Sequence, residues 1–412
     1  MTAFSLAWRT AGRYRARAVL AIVGVAVIGA LNFDMLMLSR GLLLSFANLI
    51  NSTGFDVTIV GRAGLPLARL PVEDASRLVA EIAGLPEVAA AALVRTQPAL
   101  TTLPNQAVVP LELVSTSDPN GAGAWRLLSG ANLAGAPGVP GAALAGAVPP
   151  PPPIVISLAL ASRLNLKQGS DLRLRVRIPG AISALPSVDF RVAGIADFPF
   201  ESAGAYTVAT TIAGFNMAHG GGGRDEADMV LAASAPQAGP DEAVAAISRL
   251  RPDLRVFSND QVIATFNRNG FAYFRQISIV LSSTTAGFTF LLVATLLTVS
   301  VNQRLGEVAA LRALGIARRK IAATLLWEAA LLVGVGGVAA LPLGAALAVG
   351  LDRILQRMPG LPEGLHFFVF EPRALALHVA LLGATAAVAA VYPVWLTVTL
   401  PIAQTLRQET VS

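Results

Sequence analysis

Four runs of apolar residues, each long enough to cross about 30 Å of hydrocarbon as a helix, constrain this chain more than any other feature. They lie at about 18–38, 277–301, 321–351 and 375–400. Whatever separates them must fold in water on one face of a membrane or the other. Composition agrees: only 14% of residues are charged and 54% are hydrophobic, whereas a soluble chain carries about 25% charge. That balance excludes intrinsic disorder and disfavours a soluble enzyme. Arg9, Arg13, Arg15 and Arg17 precede the first run. The run outlasts the roughly 7–15 apolar residues of a cleaved leader and continues into an amphipathic stretch through Ile50, which predicts an uncleaved anchor.

The arginines also set the orientation, because cytoplasmic loops are enriched in Lys and Arg. The N-terminal segment carries four. The loop after the second run carries Arg304, Arg312, Arg318, Arg319 and Lys320. These two segments fall on the same side, so both termini are expected inside and the long segment after the first run outside. The predicted organisation is a cytoplasmic N-terminus (1–17), span one with a stalk (18–50), an extracytoplasmic domain (51–270), span two (271–301), a cytoplasmic connection (302–320), span three (321–351), an extracytoplasmic loop (352–374), span four (375–400) and a cytoplasmic tail (401–412). The fold class is thus a membrane protein of four transmembrane α-helices, with a large α+β extracytoplasmic domain between helices 1 and 2.

Within the external segment, residues 74–83 have helical spacing and 88–94 read as a strand. Residues 171–178 alternate Leu172, Leu174, Val176 against Arg173, Arg175, Arg177, the period of a half-buried strand. Residues 130–153 are rich in Gly, Ala and Pro and end in five consecutive prolines, a composition that predicts an extended connector. Gly220–Gly223 reads as a flexible tip. The pattern suggests two subdomains: residues 55–110 joined with 225–270, and an insertion near 111–215.

The usual catalytic constellations are missing from the sequence. Lys167 and Lys320 are the only lysines, and neither is followed by Ser or Thr as a phosphate-cradling P-loop requires. The three histidines, His219, His366 and His378, are too far apart for a zinc pair. No cysteine is present, which removes thiolate metal sites, cysteine nucleophiles and disulfides. No catalytic, cofactor-binding or metal-binding residue is therefore assigned. The net charge of +6 concentrates beside the apolar runs, where topology rather than nucleic acid accounts for it.

The informative stretch follows the second run. Residues 304–314 suit a short amphipathic helix ended by Gly315, a residue suited to the left-handed position after a helix. Leu311 and Leu314 form its apolar edge, with Arg304, Glu307 and Arg312 around it. An ordinary basic loop would satisfy topology equally well. The run Arg304, Glu307, Leu311-Arg312-Ala313-Leu314-Gly315, followed by basic residues, Trp327-Glu328-Ala329 and Gly336-Gly337, resembles the ABC transporter permeases of the MacB, LolC/LolE and FtsX type. The layout of one long external segment and three C-terminal spans is similar too. So are Ile154-Val155-Ile156-Ser157, Arg191 to Ile195, and the tail Leu400-Pro401-Ile402-Ala403.

The resemblance implies a mechanism. Arg304, Glu307, Leu311, Arg312, Leu314 and Gly315 would couple the chain to a separate ATPase subunit, which would bind the ATP and magnesium. A second permease copy or a related permease would complete the complex in a bacterial cytoplasmic (inner) membrane. Membrane lipid, a lipoprotein or a periplasmic adaptor are further expected partners, and nucleic acid is not. An amphiphile such as a lipoprotein or lipid would be extracted or exported through an entrance beside Ser282, Ser283, Ala286 and Gly287. Glu328, about 10 Å into the third span, should face protein or pair with a cation such as Arg312 or Arg319. Asn32, Asp34 and His378 are expected to make contacts within or at the edge of the spans. Two other classes stay open. One is a regulator passing ATP-driven motion to an extracytoplasmic enzyme. The other is a membrane enzyme, for which Asp225, Glu226 and Asp228 are the clearest acidic cluster, although they read as a solvated tip.

Overall fold

The computed structural model describes residues 3–399 apart from 14, 63–69, 104–105, 119, 122, 136–149, 178–184, 221–223, 271, 304–305, 307–311, 313–314, 359–361 and 363. The described helices are α1 (Ala3–Arg13), α2 (Arg15–Asn51), α3 (Ala75–Ala83), α4 (Leu158–Leu164), α5 (Ile212–Ala218), α6 (Pro240–Leu250), α7 (Asn259–Thr265), α8 (Ala272–Asn302), α9 (Arg318–Leu355) and α10 (Pro372–Thr399). The strands are β1 (Val57–Gly61), β2 (Val72–Glu73), β3 (Val88–Thr102), β4 (Val108–Thr116), β5 (Arg126–Gly130), β6 (Pro153–Ser157), β7 (Asp171–Val176), β8 (Val188–Asp197), β9 (Thr207–Thr211), β10 (Glu226–Ala227), β11 (Met229–Ser234) and β12 (Leu254–Ser258). They fall into two compact units. One holds the chain up to Leu44, Asn269–Leu355 and the chain from His366; the other holds Ser45–Arg268 and Gln356–Leu365.

The first unit is helical. α2, α8, α9 and α10 are each long and apolar enough to cross a membrane. Their apolar residues lie all round the helix, as lipid on one side and helices on the other require. Pro342 in α9 and Pro393 in α10 sit inside their helices, which is tolerated where neighbouring helices re-satisfy the backbone. Val25, Val293, Leu297, Ala329, Val333 and Ala389 form the core of the bundle. Small residues bring the helices close. A Cβ on Gly336 of α9 would stand 2.7 Å from Val25 Cβ of α2, and one on Gly24 would stand 2.6 Å from Leu292 of α8. Helix α1 adds an element to the N-terminal segment, whose arginines by themselves indicate only topology.

The second unit is α+β, inserted in the chain between the first and the later membrane helices. It has two cores that share the fifteen-residue strand β3. In the first, the strands run β12–β1–β11–β3, all antiparallel. The order of elements is β1-α3-β3 and, after an insertion, β11-α6-β12, a split βαβ of the ferredoxin-like kind. Leu78 and Ile82 of α3 and Ile247 of α6 cover Val57, Ile59, Val230 and Ala232.

In the second core the hydrogen-bonded path β3–β4–β9–β6–β8 returns to β3 through β7, which closes a six-stranded ring. Closure removes free edges. Inward residues of the ring, among them Leu113, Ile154, Ile156, Leu174 and Phe190, are joined by Leu160 of α4 and Phe215 of α5 in one buried cluster. The alternation of β7 is that of a half-buried strand, with Leu172, Leu174 and Val176 buried and the intervening residues exposed. Side-chain caps start the short helices: Ser157 accepts from Leu160 N–H, and Thr211 from Gly214 N–H, each cap contributing about 1 kcal/mol.

Most of the Gly-, Ala- and Pro-rich connector, residues 136–149, and residues 221–223 of the glycine tip lie outside the described residues.

Candidate functional site: a polar clamp at the base of the spans

A polar cluster joins three membrane helices near one end of the bundle. Arg17 opens α2, Ser300 and Gln303 stand at the end of α8, and Glu328 lies in the third turn of α9. The Arg17 guanidinium donates to Ser300 Oγ at 2.5 Å, to Glu328 Oε1 at 3.2 Å and to Gln303 Oε1 at 3.2 Å. Ser300 Oγ donates in turn to Glu328 Oε1 at 3.1 Å. The Glu328 side chain is 3% exposed and that of Arg17 19%. A buried carboxylate is costly unless a cation and hydrogen bonds compensate it, and here both do. Such a pair adds little net stability, but it fixes which residues can stand opposite one another.

The sequence singles out Glu328 and offers Arg312 or Arg319 as its cation. The structure sets Arg17, 311 residues away, against it. Ser300 and Gln303 were not selected at all. A serine and a glutamine at the end of an apolar run carry no signal until the helices are packed.

The connection between α8 and α9 is covered in part. Arg304, Glu307, Leu311 and Leu314 lie outside the described residues. Arg312 is helical, and the N–H of Gly315, at φ +83°, donates to Arg312 O, the left-handed turn that ends a helix. The clamp residues Ser300 and Gln303 lie directly before this connection, and Glu328 ten residues into the helix after it.

The proposed entrance residues lie on α8, the least buried of the four spans. Ser283 and Gly287 are exposed, Ser282 and Ala286 partly so. Ser283 bonds back to Ile279 O at 2.7 Å, which hides its hydroxyl from lipid. Space is open around the Gly287 Cα. Two turns of chain away, Ser278 Oγ donates to Met35 O of α2 at 3.2 Å, so α2 and α8 touch at their outer halves. Asn32, Asp34 and His378 are buried within the spans.

Asp225 and Asp228 are exposed, in keeping with the solvated reading, but both also make hydrogen bonds that hold neighbouring elements. Asp225 accepts from Ser76 N–H and Oγ at the start of α3. It does the capping that Asp74, at φ 51° and without a side-chain cap bond, leaves undone. Asp228 accepts from Thr96 N–H at 2.6 Å and continues the ladder of β3. Among the described residues no cluster of three metal-ligating side chains exists.

Residues 279–402 match the family model described as FtsX-like permease C-terminal. Comparison with curated proteins gives no match. Two solved structures resemble part of the chain. The periplasmic region of MacB from Actinobacillus actinomycetemcomitans is 10% identical, with a TM-score of 0.37, over 52% of this chain and 95% of that one. The extracellular domain of the noncanonic ABC-type transporter YknZ from Gram-positive bacteria is 9% identical, with a TM-score of 0.33, over 49% and 98%. The family match, by contrast, falls on α8, α9, α10 and the connection that follows the clamp. Residues 279–402, under a third of the chain, are thus similar to the C-terminal part of FtsX-like permeases.

Proposed function

We propose that this permease couples ATP hydrolysis by a separate ATPase subunit to a change in its extracytoplasmic domain, and so extracts or exports an amphiphile such as a lipoprotein or lipid. The observation that carries the proposal is the clamp. A displacement of residues 303–317 by a cytosolic partner acts at once on the end of α8, on the start of α9 and, through Arg17, on the start of α2. Two of those helices, α2 and α8, lead by chain to neighbouring strands of the external domain. α2 ends at Asn51, six residues before β1; α8 begins soon after α7, which follows β12. β1 and β12 are hydrogen-bonded neighbours in register Val57↔Ser258 to Gly61↔Leu254. Asn259 ties the two chain ends, donating to Asn51 Oδ1 at 3.0 Å and to Phe55 O at 2.9 Å. A relative movement of α2 and α8 would therefore be delivered to one strand pair.

The amphiphilic substrate rests on less: the exposed, small-residue stretch of α8 at Ser282, Ser283, Ala286 and Gly287 would let an apolar chain approach the α2–α8 seam. The test is co-purification of the chain in mild detergent with its ATPase, followed by hydrolysis assays in vesicles. Leu311→Asp and Leu314→Asp should each abolish association. Glu328→Leu should leave association intact while substrate release falls at undiminished ATP turnover. Association that survives both leucine variants overturns the coupling segment; release that survives Glu328→Leu overturns the clamp as its relay.

A further inference from the structure

Helix α1 is amphipathic, with its aromatic and basic side chains on different faces. At 100° per residue, Phe4 and Trp8 fall within about 40° of one another, whereas Arg9 and Arg13 fall about 140–180° from Phe4. Ala7, on a third face, is fully buried, and the Phe4 ring meets Trp327 of α9 edge-on at 5.4 Å between centroids. That contact holds α1 at the level of Glu328, the cytoplasmic end of the bundle. Trp8 is 61% exposed, Trp327 47% and Phe4 44%. Arg9, Arg13 and Arg15 are exposed, as are Arg318, Arg319 and Lys320 at the start of α9. Among the described residues none of these six cations forms an ion pair with an acidic side chain. The level of the helix, the exposed tryptophans and the six unopposed cations describe one surface, polar on one side and apolar on the other.

We propose that α1 lies in the plane of the cytoplasmic face of the membrane and, with the basic start of α9, binds the headgroups of anionic phospholipids. Trp8 and Phe4 enter the boundary between headgroups and acyl chains, where amphipathic rings are favoured. The arginines and Lys320 meet phosphate oxygens, the chemistry that a patch of guanidinium groups without acidic partners fits. The surface therefore holds the first turn of α2, and Arg17 with it, at a depth set by the lipid. The proposal does not depend on the ATPase coupling and stands or falls separately from it.

The test uses the full chain in vesicles, with the other three tryptophans, Trp125, Trp327 and Trp395, replaced by Phe so that Trp8 reports alone. Phosphatidylglycerol or phosphatidylcholine brominated near the carbonyl is added at equal mole fraction. Brominated phosphatidylglycerol should quench Trp8 at least about twofold more than brominated phosphatidylcholine. The preference should vanish in high salt and in the combined variant Arg9→Gln, Arg13→Gln, Arg318→Gln, Arg319→Gln. A matched protein retaining only Trp395, exposed on α10, verifies that each variant is inserted. Equal quenching by the two lipids overturns the headgroup preference. Absence of quenching at Trp8 while Trp395 is quenched overturns the placement of α1 and assigns its exposed face to water or a protein partner.

Discussion

At the scale of single residues, the clamp shows how a costly group is made tolerable. Glu328 alone would be an uncompensated charge among apolar helices; Arg17 and Ser300 turn it into a fixed contact. Removing one partner of such a buried pair costs about 3–5 kcal/mol. The partial exposure of Arg17 places Glu328→Leu near the lower end of that range, and Glu328→Gln, which keeps the bond with Ser300, below it. Thermal unfolding of the purified chain in detergent should rank wild type, Gln and Leu in that order of falling stability. Gly336 is a second sensitive point. Any side chain there meets Val25 of α2 at less than contact distance, so Gly336→Val should separate α2 from α9 and lower both yield and melting temperature, whereas Gly334→Val, with open space around it, should do neither.

His219 gives a pH signature of the external domain. Burial, then the nearby Arg95, hold its pKa below the ordinary histidine value, so the folded domain keeps it neutral while the unfolded chain takes up a proton near about pH 6.5. Stability from this residue is complete above that pH and falls as pH drops through it. Asp189 and Asp253 are held below the usual carboxylate range by Arg173 and Arg251; their contribution is lost only at lower pH, and it is small because both pairs are exposed. Melting curves from pH 7 to pH 5 should therefore steepen with His219 present and flatten in His219→Gln.

At the scale of elements, the external segments with a clear period, 74–83, 88–94 and 171–178, could be read from sequence. β7 shows why: its alternation of Leu and Val with Arg needs no tertiary information. α4 is bounded by local signals too, Ser157 as its cap and Asn165 at φ 52° after its last turn. α1 is hard to read because its large apolar residues are only Phe4, Leu6 and Trp8, too few to stand out in a segment whose arginines already serve topology. Its anchoring is testable by a double-mutant cycle. Phe4→Ala and Trp327→Ala should each destabilise the chain, with a coupling of about 0.5–1.5 kcal/mol for the edge-on rings. A coupling near zero would mean that α1 does not rest on α9.

At the scale of the whole molecule, α2 and α8 are the helices whose chain ends lead to the paired strands β1 and β12. The chain has no cysteine, so a Met35→Cys, Ser278→Cys pair can be bridged without background. Bridging should arrest substrate release while the associated ATPase continues to turn over, and reduction should restore release. A bridged protein that releases substrate normally would show that α2 and α8 need not separate at that level.

Local sequence was enough to indicate four membrane-spanning helices, a large α+β domain outside the membrane, and a likeness of residues 279–402 to FtsX-like permeases. Each of these follows from local information: run length, charge bias, period and motif. The tertiary structure decided that β3 serves two cores, that the inserted strands close into a ring, and that Glu328 is answered by Arg17. Those are pairings between segments far apart in the chain. Nothing in the local pattern of an arginine at residue 17 or a serine at residue 300 records the partner it will face, because the cost of burying the charge is felt only once the helices are packed.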